Sequence, residues 1–113
     1  MISDMPLEIM PAEVKRRLEA GEAISLIDVR EPVEFQIAQI TGSELVPMGT
    51  VPAHLQTLED KAQEETLVIL CHHGVRSLQV ATWLRDQGIV NCQSMQDGID
   101  LWSLSVDSSV PRY

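Results

Sequence analysis

The sequence predicts an α/β domain in three layers, with a mostly parallel central sheet flanked by helices. Its 113 residues are enough for one hydrophobic core and too few for two. Helical and strand-like segments alternate along the chain without a repeat or a linker. The segment TLVIL at 66–70 is a continuous apolar run, typical of a parallel strand covered on both faces. We therefore expect a single domain over 1–113, with its core at about 8–104 and a C-terminal tail at 105–113.

The first half of the chain contains clear start and stop signals. Pro11 suits the first turn of a helix, Val14 and the nearby Ile9 are apolar, and Gly21 ends the helix. The apolar segment AISLIDV reads as a buried strand, and Pro32 then opens a short helix. These signals predict a helix at 11–20, a strand at 23–29, a helix at 31–37, a turn at 41–42 and a strand at 44–46.

The second half repeats the alternation. Leu55, Leu58 and Ala62 recur at three- and four-residue spacing, which places them on one face of a helix. After the apolar run, a further apolar helix is closed by Gly88. These signals predict a helix at 52–62, a strand at 66–70, a helix at 77–87, a strand at 91–95 and a helix at 98–104.

The composition excludes several classes of partner. The sequence has 17 acidic and 8 basic residues, a net charge of −9, whereas nucleic acids and anionic membranes need a cationic surface. No apolar stretch approaches the ~20 residues of a membrane-spanning helix. The N-terminal segment MISDMPLEIM lacks both the basic region and the continuous apolar region of a secretory signal. We expect a cytoplasmic protein that binds neither nucleic acid nor membrane.

The segment CHHGVRS at 71–77 has the residues best suited to chemistry. Cys71 ends a predicted strand just before a predicted helix, which is where ligands bind in open α/β sheets. Loop N–H groups and the helix N-terminus form an anion site there, and with Arg76 they favour the nucleophilic thiolate. Gly74 permits backbone conformations that other residues resist. Because no Asp or Glu occurs from 66 to 85, we expect the surroundings of Cys71 to be less negative than the rest of the protein.

Other interpretations of Cys71 remain open at this point. A free cysteine is often only a small buried hydrophobic residue. Zinc would need further ligands, but Cys71, His72 and His73 are consecutive with diverging side chains, and His54 is isolated on a predicted helix. A disulfide with Cys92 would be unusual in the cytosol. The pattern of residues that follows Cys71 favours a reactive thiol with no bound metal.

Several segments resemble the single-domain rhodanese family. These are LIDVREPVEF at 26–35, CHHGVRS at 71–77, and the later ATWLRDQG and DGIDLW, so that the resemblance extends from about 11 to 102. The combination of D-V-R-x-P-x-E-F with C-x4-R-S is specific, whereas either motif alone is weak. The resemblance implies a rhodanese-like fold and a sulfurtransferase that needs no cofactor. In that activity a cysteine takes sulfane sulfur from a donor, carries it as a persulfide and passes it to a thiophilic acceptor.

The resemblance also implies roles for individual residues. It makes Cys71 the nucleophile and persulfide carrier, with Arg76 closing the loop and Ser77 donating a hydrogen bond. Asp28 and Arg30 match the family's structural ion-pair motif, so we expect them to support the loop and not to react. The backbone N–H groups expected to surround the outer sulfur are those of His72, His73, Gly74, Val75 and Arg76.

Loop length separates two chemistries of the family. The six residues from Cys71 to Arg76 are the length of the sulfur-handling members, whereas the related phosphatases and arsenate reductases have one more residue to admit an oxyanion. Two positions depart from the family pattern: Gln39 replaces a frequent histidine, and Asp97 replaces a frequent glycine near the expected rim of the site. The loop also lacks an additional Arg or Lys, so we expect thiosulfate to be a poor donor.

A second class of function stays open beside the enzyme. Non-catalytic rhodanese-like modules bind partner proteins, and this chain offers an acidic surface for such binding. Those modules usually lack the cysteine, so the presence of Cys71 with Arg76 and Ser77 favours an enzyme. A phosphatase or arsenate reductase is less favoured. The expected partners are a sulfane-sulfur donor and a thiophilic acceptor, such as cyanide, a thiol or an acceptor protein.

Overall fold

The computed structural model describes residues 5–113 and contains one five-stranded sheet. The strands are β1 Glu8–Ile9, β2 Ile24–Asp28, β3 Glu44–Leu45, β4 Thr66–Leu70 and β5 Cys92–Met95. Their order across the sheet is β1-β5-β4-β2-β3, and every pairing is parallel. β4 therefore lies at the centre, with its carboxyl end flanked by β2 and β5.

Helices cover both faces of this sheet. They are α1 Pro11–Glu19, α2 Pro32–Ile37, α3 Leu55–Ala62, α4 Val75–Asp86 and α5 Gly98–Ser105. Leu67 and Ile69 of β4 pack in one apolar cluster with residues of α3 and α4. Val68 and Leu70 point to the other face and pack with residues of α1 and α5. This alternation buries β4 on both sides and confirms the predicted three-layer α/β class.

Most predicted elements are present, but two helices begin two or more residues from their predicted start. The helix predicted at 52–62 is preceded by a 3-10 helix, Met48–His54, and is α-helical only from Leu55. Pro52 lies inside the 3-10 segment, where its missing N–H disfavours regular α-helix. The helix predicted at 77–87 begins two residues earlier, because Gly74 turns the chain directly into its first turn.

One strand was not predicted. Ile9 was grouped with the apolar side of the first helix, but it forms β1 together with Glu8 and pairs with Met95 of β5. Two residues are too short to show the alternation that identifies a strand.

Two further expectations concern membrane-spanning helices and the N-terminal segment. None of the helices within residues 5–113 combines the length and the apolar character that a bilayer crossing requires. The expectation of a chain without a secretory signal rests partly on residues 1–4, which lie outside the described part of the chain.

The segment after α5 folds back against the domain. Val110 is buried in the cluster on the α1 and α5 face. Its carbonyl oxygen accepts a hydrogen bond from the buried hydroxyl of Ser103. Arg112 forms an ion pair with Asp100 at 2.9 Å. These contacts bring the end of the chain beside α5.

The start of α5 holds the loop that follows β4. The N–H groups of Ile99 and Asp100 donate to the carbonyl oxygens of Cys71 and His72, at 2.9 and 3.2 Å. This close approach needs glycine at position 98, since a Cβ atom there would lie 2.4 Å from the Cys71 carbonyl oxygen. Backbone hydrogen bonds from the start of α5 therefore hold the loop that follows β4 in place.

We predict that Gly98→Ala destabilises the fold strongly. The new methyl group would clash with two carbonyl groups, and φ at this position is +61°. The expected loss in free energy of unfolding is about 2–4 kcal/mol, measured by urea denaturation. Gly88→Ala is the matched control, because φ there is +101° but nothing lies within 4 Å of the added atom. That variant should lose only about 1–2 kcal/mol, and equal losses in both would contradict the close approach at α5.

Candidate active site

Cys71 lies at the carboxyl edge of the sheet, directly after β4. Its side chain is 1% exposed and packs in the cluster on the α3 and α4 face. The N–H of Val29 donates to the carbonyl of Leu70 at 3.0 Å, which continues the pairing of β2 and β4 to their ends. The structure thus places Cys71 between a strand end and a helix start, as the sequence predicts.

Three contacts converge on the sulfur of Cys71. The N–H groups of Gly74 and Ser77 donate to Sγ at 3.1 and 3.3 Å. The thiol also lies 3.4 Å from Ser77 Oγ, to which it donates. Gly74 reaches this position because its φ is +97°, a conformation that glycine adopts without steric cost. The loop therefore encloses the sulfur with backbone donors.

The N-terminus of α4 supplies further donors at the same place. Within residues 5–113, the N–H groups of His73, Val75 and Arg76 donate to no acceptor. Unpaired N–H groups at a helix start attract negative charge. Of the five N–H groups expected around the outer sulfur, that of Gly74 contacts Sγ itself. Ser77, which is expected to donate a hydrogen bond, contacts Sγ through its N–H.

Arg76 is held by Glu34 of α2. Its two terminal nitrogens donate to the two carboxylate oxygens at 2.7 and 3.0 Å. These hydrogen bonds lower the pKa of Glu34 to about 2. The absence of Asp and Glu from 66 to 85 did not predict this contact, because the fold brings the carboxylate from a distant segment against Arg76. The N–H groups that contact Sγ and the N-terminus of α4 favour negative charge at Cys71, while the guanidinium of Arg76 is paired with Glu34.

Asp28 and Arg30 form a fully buried ion pair at the end of β2. Arg30 Nη2 donates to Asp28 Oδ2 at 2.6 Å, and Arg30 Nε donates to Oδ1 at 2.9 Å. The guanidinium also donates to the carbonyl oxygens of Glu34 and Ala38, at 3.3 and 2.6 Å. Because a buried charge needs such complete pairing, these bonds tie β2 to α2. Through Glu34, α2 in turn holds Arg76.

Tyr113 joins both ion pairs to the loop. Its hydroxyl accepts a hydrogen bond from Arg30 Nη1 and donates one to Glu34 Oε2, each at 2.8 Å. Its ring stacks on His72 with 3.9 Å between centroids, and His72 stacks on His73 at the same distance. Burial lowers the pKa of His72, and the charge of His73 acts in the same direction. The loop histidines are thus part of an aromatic stack.

The second thiol lies in a different environment. Cys92 in β5 is fully buried, and burial raises its pKa to about 12. Cys71 and Cys92 are both free cysteines. Among residues 5–113, no three or more His, Cys, Asp or Glu side chains are arranged to hold a metal ion. His54 is exposed at the end of the 3-10 helix, as the sequence suggests.

The two departures from the family pattern are on the surface. Gln39 is exposed, and its side chain donates to the carbonyl of Phe35 at 3.1 Å. Asp97 is also exposed and has φ +59°, the left-handed region that glycine adopts more easily. A Cβ atom on Gly74 would lie 3.0 Å from the backbone nitrogen of Asp97, so the two loops are in close contact.

Comparison with known sequences tests the resemblance. A sequence profile described as "Rhodanese-like domain" matches residues 10–105, which is most of the chain. This chain belongs to the rhodanese-like family. The prediction made from the two motifs is confirmed.

Curated relatives of this rhodanese-like domain differ in size. It is 34% identical, over 99% of its length, to the Rhodanese-like/PpiC domain-containing protein 12, chloroplastic, of Arabidopsis thaliana, and covers 38% of that protein. It is 33% identical, over 84% of its length, to the putative sulfurtransferase YtwF of Bacillus subtilis, and covers 88% of it. The chain spans only 26% to 38% of the first curated relatives it matches.

Solved structures support the fold. The crystal structure of the Rhodanese-like domain protein from Staphylococcus aureus superposes with a TM-score of 0.79 and is 26% identical. The match covers 96% of this chain and 99% of the other. The rhodanese-like α/β fold predicted from the sequence is therefore confirmed.

Sequence reasoning missed three residues around Cys71. Glu34 lies within a sequence motif that assigns it no role, and the sequence predicts a tail at Tyr113. Ser94 of β5 is the third, with its Oγ 2.8 Å from Ser77 Oγ. The one sequence feature that could have indicated a role for Ser94 is that it is a polar residue within a predicted buried strand. The contacts of the other two residues depend on packing between distant segments.

We predict that the Glu34–Arg76 ion pair stabilises the rhodanese-like domain at neutral pH and not in strong acid. Folding lowers the pKa of Glu34 from 4.5 to about 2, so the unfolded state binds more protons between these values. The stabilisation is complete above pH 4.5 and is lost as the pH falls through about 2. Glu34→Gln should therefore lower the free energy of unfolding at pH 7 by about 1–2 kcal/mol.

Urea denaturation from pH 7 down to pH 2 measures this difference. The gap between wild type and Glu34→Gln should narrow as the solution is acidified. Glu64→Gln, on the exposed surface, is the matched control and should stay close to wild type throughout. A gap of constant size at all pH values would contradict the role of the Glu34 carboxylate.

Proposed function

We propose that this domain is a sulfurtransferase that carries sulfane sulfur as a persulfide on Cys71 and passes it to a thiophilic acceptor. The observation that carries the proposal is the convergence of backbone donors on Cys71 Sγ. The N–H groups of Gly74 and Ser77 contact the sulfur, and the N-terminus of α4 begins beside it. The names of relatives such as the putative sulfurtransferase YtwF support the same class of activity.

The proposed reaction has two displacement steps. The thiolate of Cys71 attacks the sulfane sulfur of the donor, a new S–S bond forms, and the rest of the donor leaves with the electron pair of the broken bond. The acceptor then attacks the outer sulfur. The electrons of the persulfide S–S bond return to Cys71 Sγ, which regenerates the thiolate.

The backbone N–H groups around Cys71, here called the cradle, stabilise negative charge during both steps. The donors that contact Sγ hold the thiolate that exists before and after transfer. The N–H groups of His73, Val75 and Arg76 have no acceptor within residues 5–113 and are available to the outer sulfur. We assign the N–H of His72 to the same group of donors around the outer sulfur. Preorganised backbone donors need no rearrangement as charge develops.

The ion pairs act as supports in this proposal. The Asp28–Arg30 pair is buried, so neither group reacts with a substrate. Arg30 fixes α2 through two carbonyl oxygens, and Glu34 of α2 holds the guanidinium that closes the loop. Arg76 thus sets the shape of the loop, and in this proposal its unpaired backbone N–H serves the outer sulfur.

We expect the partners to be a sulfane-sulfur donor and a small or protein-borne acceptor, in the cytoplasm, with no nucleic acid, membrane or cofactor. The net charge of −9 supports the exclusion of polyanionic partners. The competing candidate is a non-catalytic binding module, which the 1% exposure of Cys71 favours, since a hidden thiol meets substrates poorly. The test of persulfide formation separates the two.

We predict that Cys71→Ser abolishes sulfur transfer while the fold is kept, because a serine hydroxyl is a weak nucleophile and forms no persulfide. After incubation with several sulfane donors, intact-mass measurement should show wild type heavier by one sulfur atom, about 32 Da, and the variant unchanged. Cys92→Ser is the matched control and should retain the added sulfur on Cys71, because burial keeps the Cys92 thiol protonated and unreactive. A wild type that gains no mass from any donor would favour the binding module.

We predict that aryl phosphates are not hydrolysed. The loop from Cys71 to Arg76 fits one outer sulfur atom, and Glu34 already occupies the guanidinium that would bind phosphate oxygens. Sulfur transfer to cyanide or a dithiol should be measurable, though slow from thiosulfate. Inserting one residue between Val75 and Arg76 should weaken that transfer because the ring of N–H groups widens. Phosphate-ester cleavage by wild type without persulfide formation would overturn the assignment.

A further inference from the structure

Two serine hydroxyls lie in contact beneath the loop, away from water. Ser77 and Ser94 are each 0% exposed, with their Oγ atoms 2.8 Å apart. Ser94 pairs with Glu8 of β1 on one side and with Ile69 of β4 on the other, so its backbone is fixed by two strands. Ser77 Oγ lies 3.4 Å from Cys71 Sγ. A chain of three polar atoms therefore leads from β5 to the sulfur.

The number of protons gives this chain a direction. Each hydroxyl has one proton to donate. Within residues 5–113, Ser94 Oγ has Ser77 Oγ as its one hydrogen-bond partner. Ser77 Oγ donates its proton to the carbonyl of Gly74 at 3.2 Å, an oxygen that also accepts the N–H of Leu78 at 3.1 Å. With Ser94 donating to Ser77, a turn of the Ser77 hydroxyl away from the Gly74 carbonyl, which keeps the N–H of Leu78, would point its proton at the sulfur.

We propose that Ser94 is a positioning residue that acts on Cys71 through Ser77. In the thiol form, Cys71 donates its proton to Ser77 Oγ. When that proton leaves to solvent, the hydroxyl of Ser77 turns from the Gly74 carbonyl to the thiolate, and Ser94 donates to Ser77 behind it. A hydrogen bond to a charged acceptor is stronger than a neutral one, and a second hydroxyl behind the first strengthens it. The inference rests on the proposed role of Cys71 as nucleophile.

The variants Ser94→Val and Ser94→Thr form a matched test, because they have nearly the same shape and only threonine keeps the hydroxyl. The readout is the rate of alkylation of Cys71 by iodoacetamide as a function of pH, followed by intact mass. In Ser94→Val, the rate below the wild-type midpoint should fall about fivefold, the equilibrium equivalent of one ordinary hydrogen bond. The midpoint should rise by about 0.7 pH unit, with the plateau at high pH unchanged. Ser94→Thr should keep the wild-type profile.

Coupling to Ser77 distinguishes positioning from general packing. Because Ser94 acts through Ser77, adding Ser94→Val to Ser77→Ala should shift the profile no further than Ser77→Ala alone. Ser103→Ala, which removes a buried hydroxyl bonded to Val110, is the structural control and should match wild type. Circular dichroism checks the fold of each variant, and Ser94→Ala replaces Ser94→Val if the latter does not fold.

Two results would overturn the proposal. One is a folded Ser94→Val with the wild-type profile, and the other is an equal shift in the Ser77→Ala background. Alkylation needs only the thiolate and no sulfur donor. A shift in Ser94→Val would therefore stand even if wild type formed no persulfide. The absence of a persulfide would overturn the proposed function and leave this proposal intact.

Discussion

The loop around Cys71 depends on the buried guanidinium of Arg30. This side chain has no contact with water, so it must be satisfied by the carboxylate of Asp28, by carbonyl oxygens of α2 and by the hydroxyl of Tyr113. Removing one partner of such a pair typically costs about 3–5 kcal/mol, because an uncompensated buried charge remains. That cost fixes α2 beside the end of β2. Glu34, on α2, is thereby placed where it holds Arg76.

The cradle itself is made almost entirely of backbone. Its contacts to Sγ come from the N–H groups of Gly74 and Ser77, and its carbonyl groups are held by the first turn of α5. The position of the chain therefore matters more than the identity of most loop side chains. Glycine is required where backbones approach each other, at Gly98 and Gly74. Such a site can bind an anionic sulfur although the whole chain has a net charge of −9.

Local signals explain which parts of this structure could be predicted. The bounds of β4 and the place of Cys71 follow from an apolar run, a glycine and a helix start, all within about a dozen residues. The two-residue β1 is too short for a period, and the 3-10 helix at Met48–His54 shares its apolar spacing with an α-helix. The partners of the loop could not be predicted locally. Glu34 is 42 residues from Arg76, and their contact exists only after β2, α2 and β4 have packed.

The aromatic stack gives the loop an intrinsic spectroscopic reporter. Tyr113 is the one tyrosine in the sequence, so its ring resonances in a proton NMR spectrum can be assigned by residue type alone. Its ring lies 3.9 Å from that of His72, at an interplanar angle of 9°. Ring-current fields change sharply over such distances. Any displacement or protonation of His72 will shift the tyrosine signals, so that an unlabelled sample records the state of the loop directly.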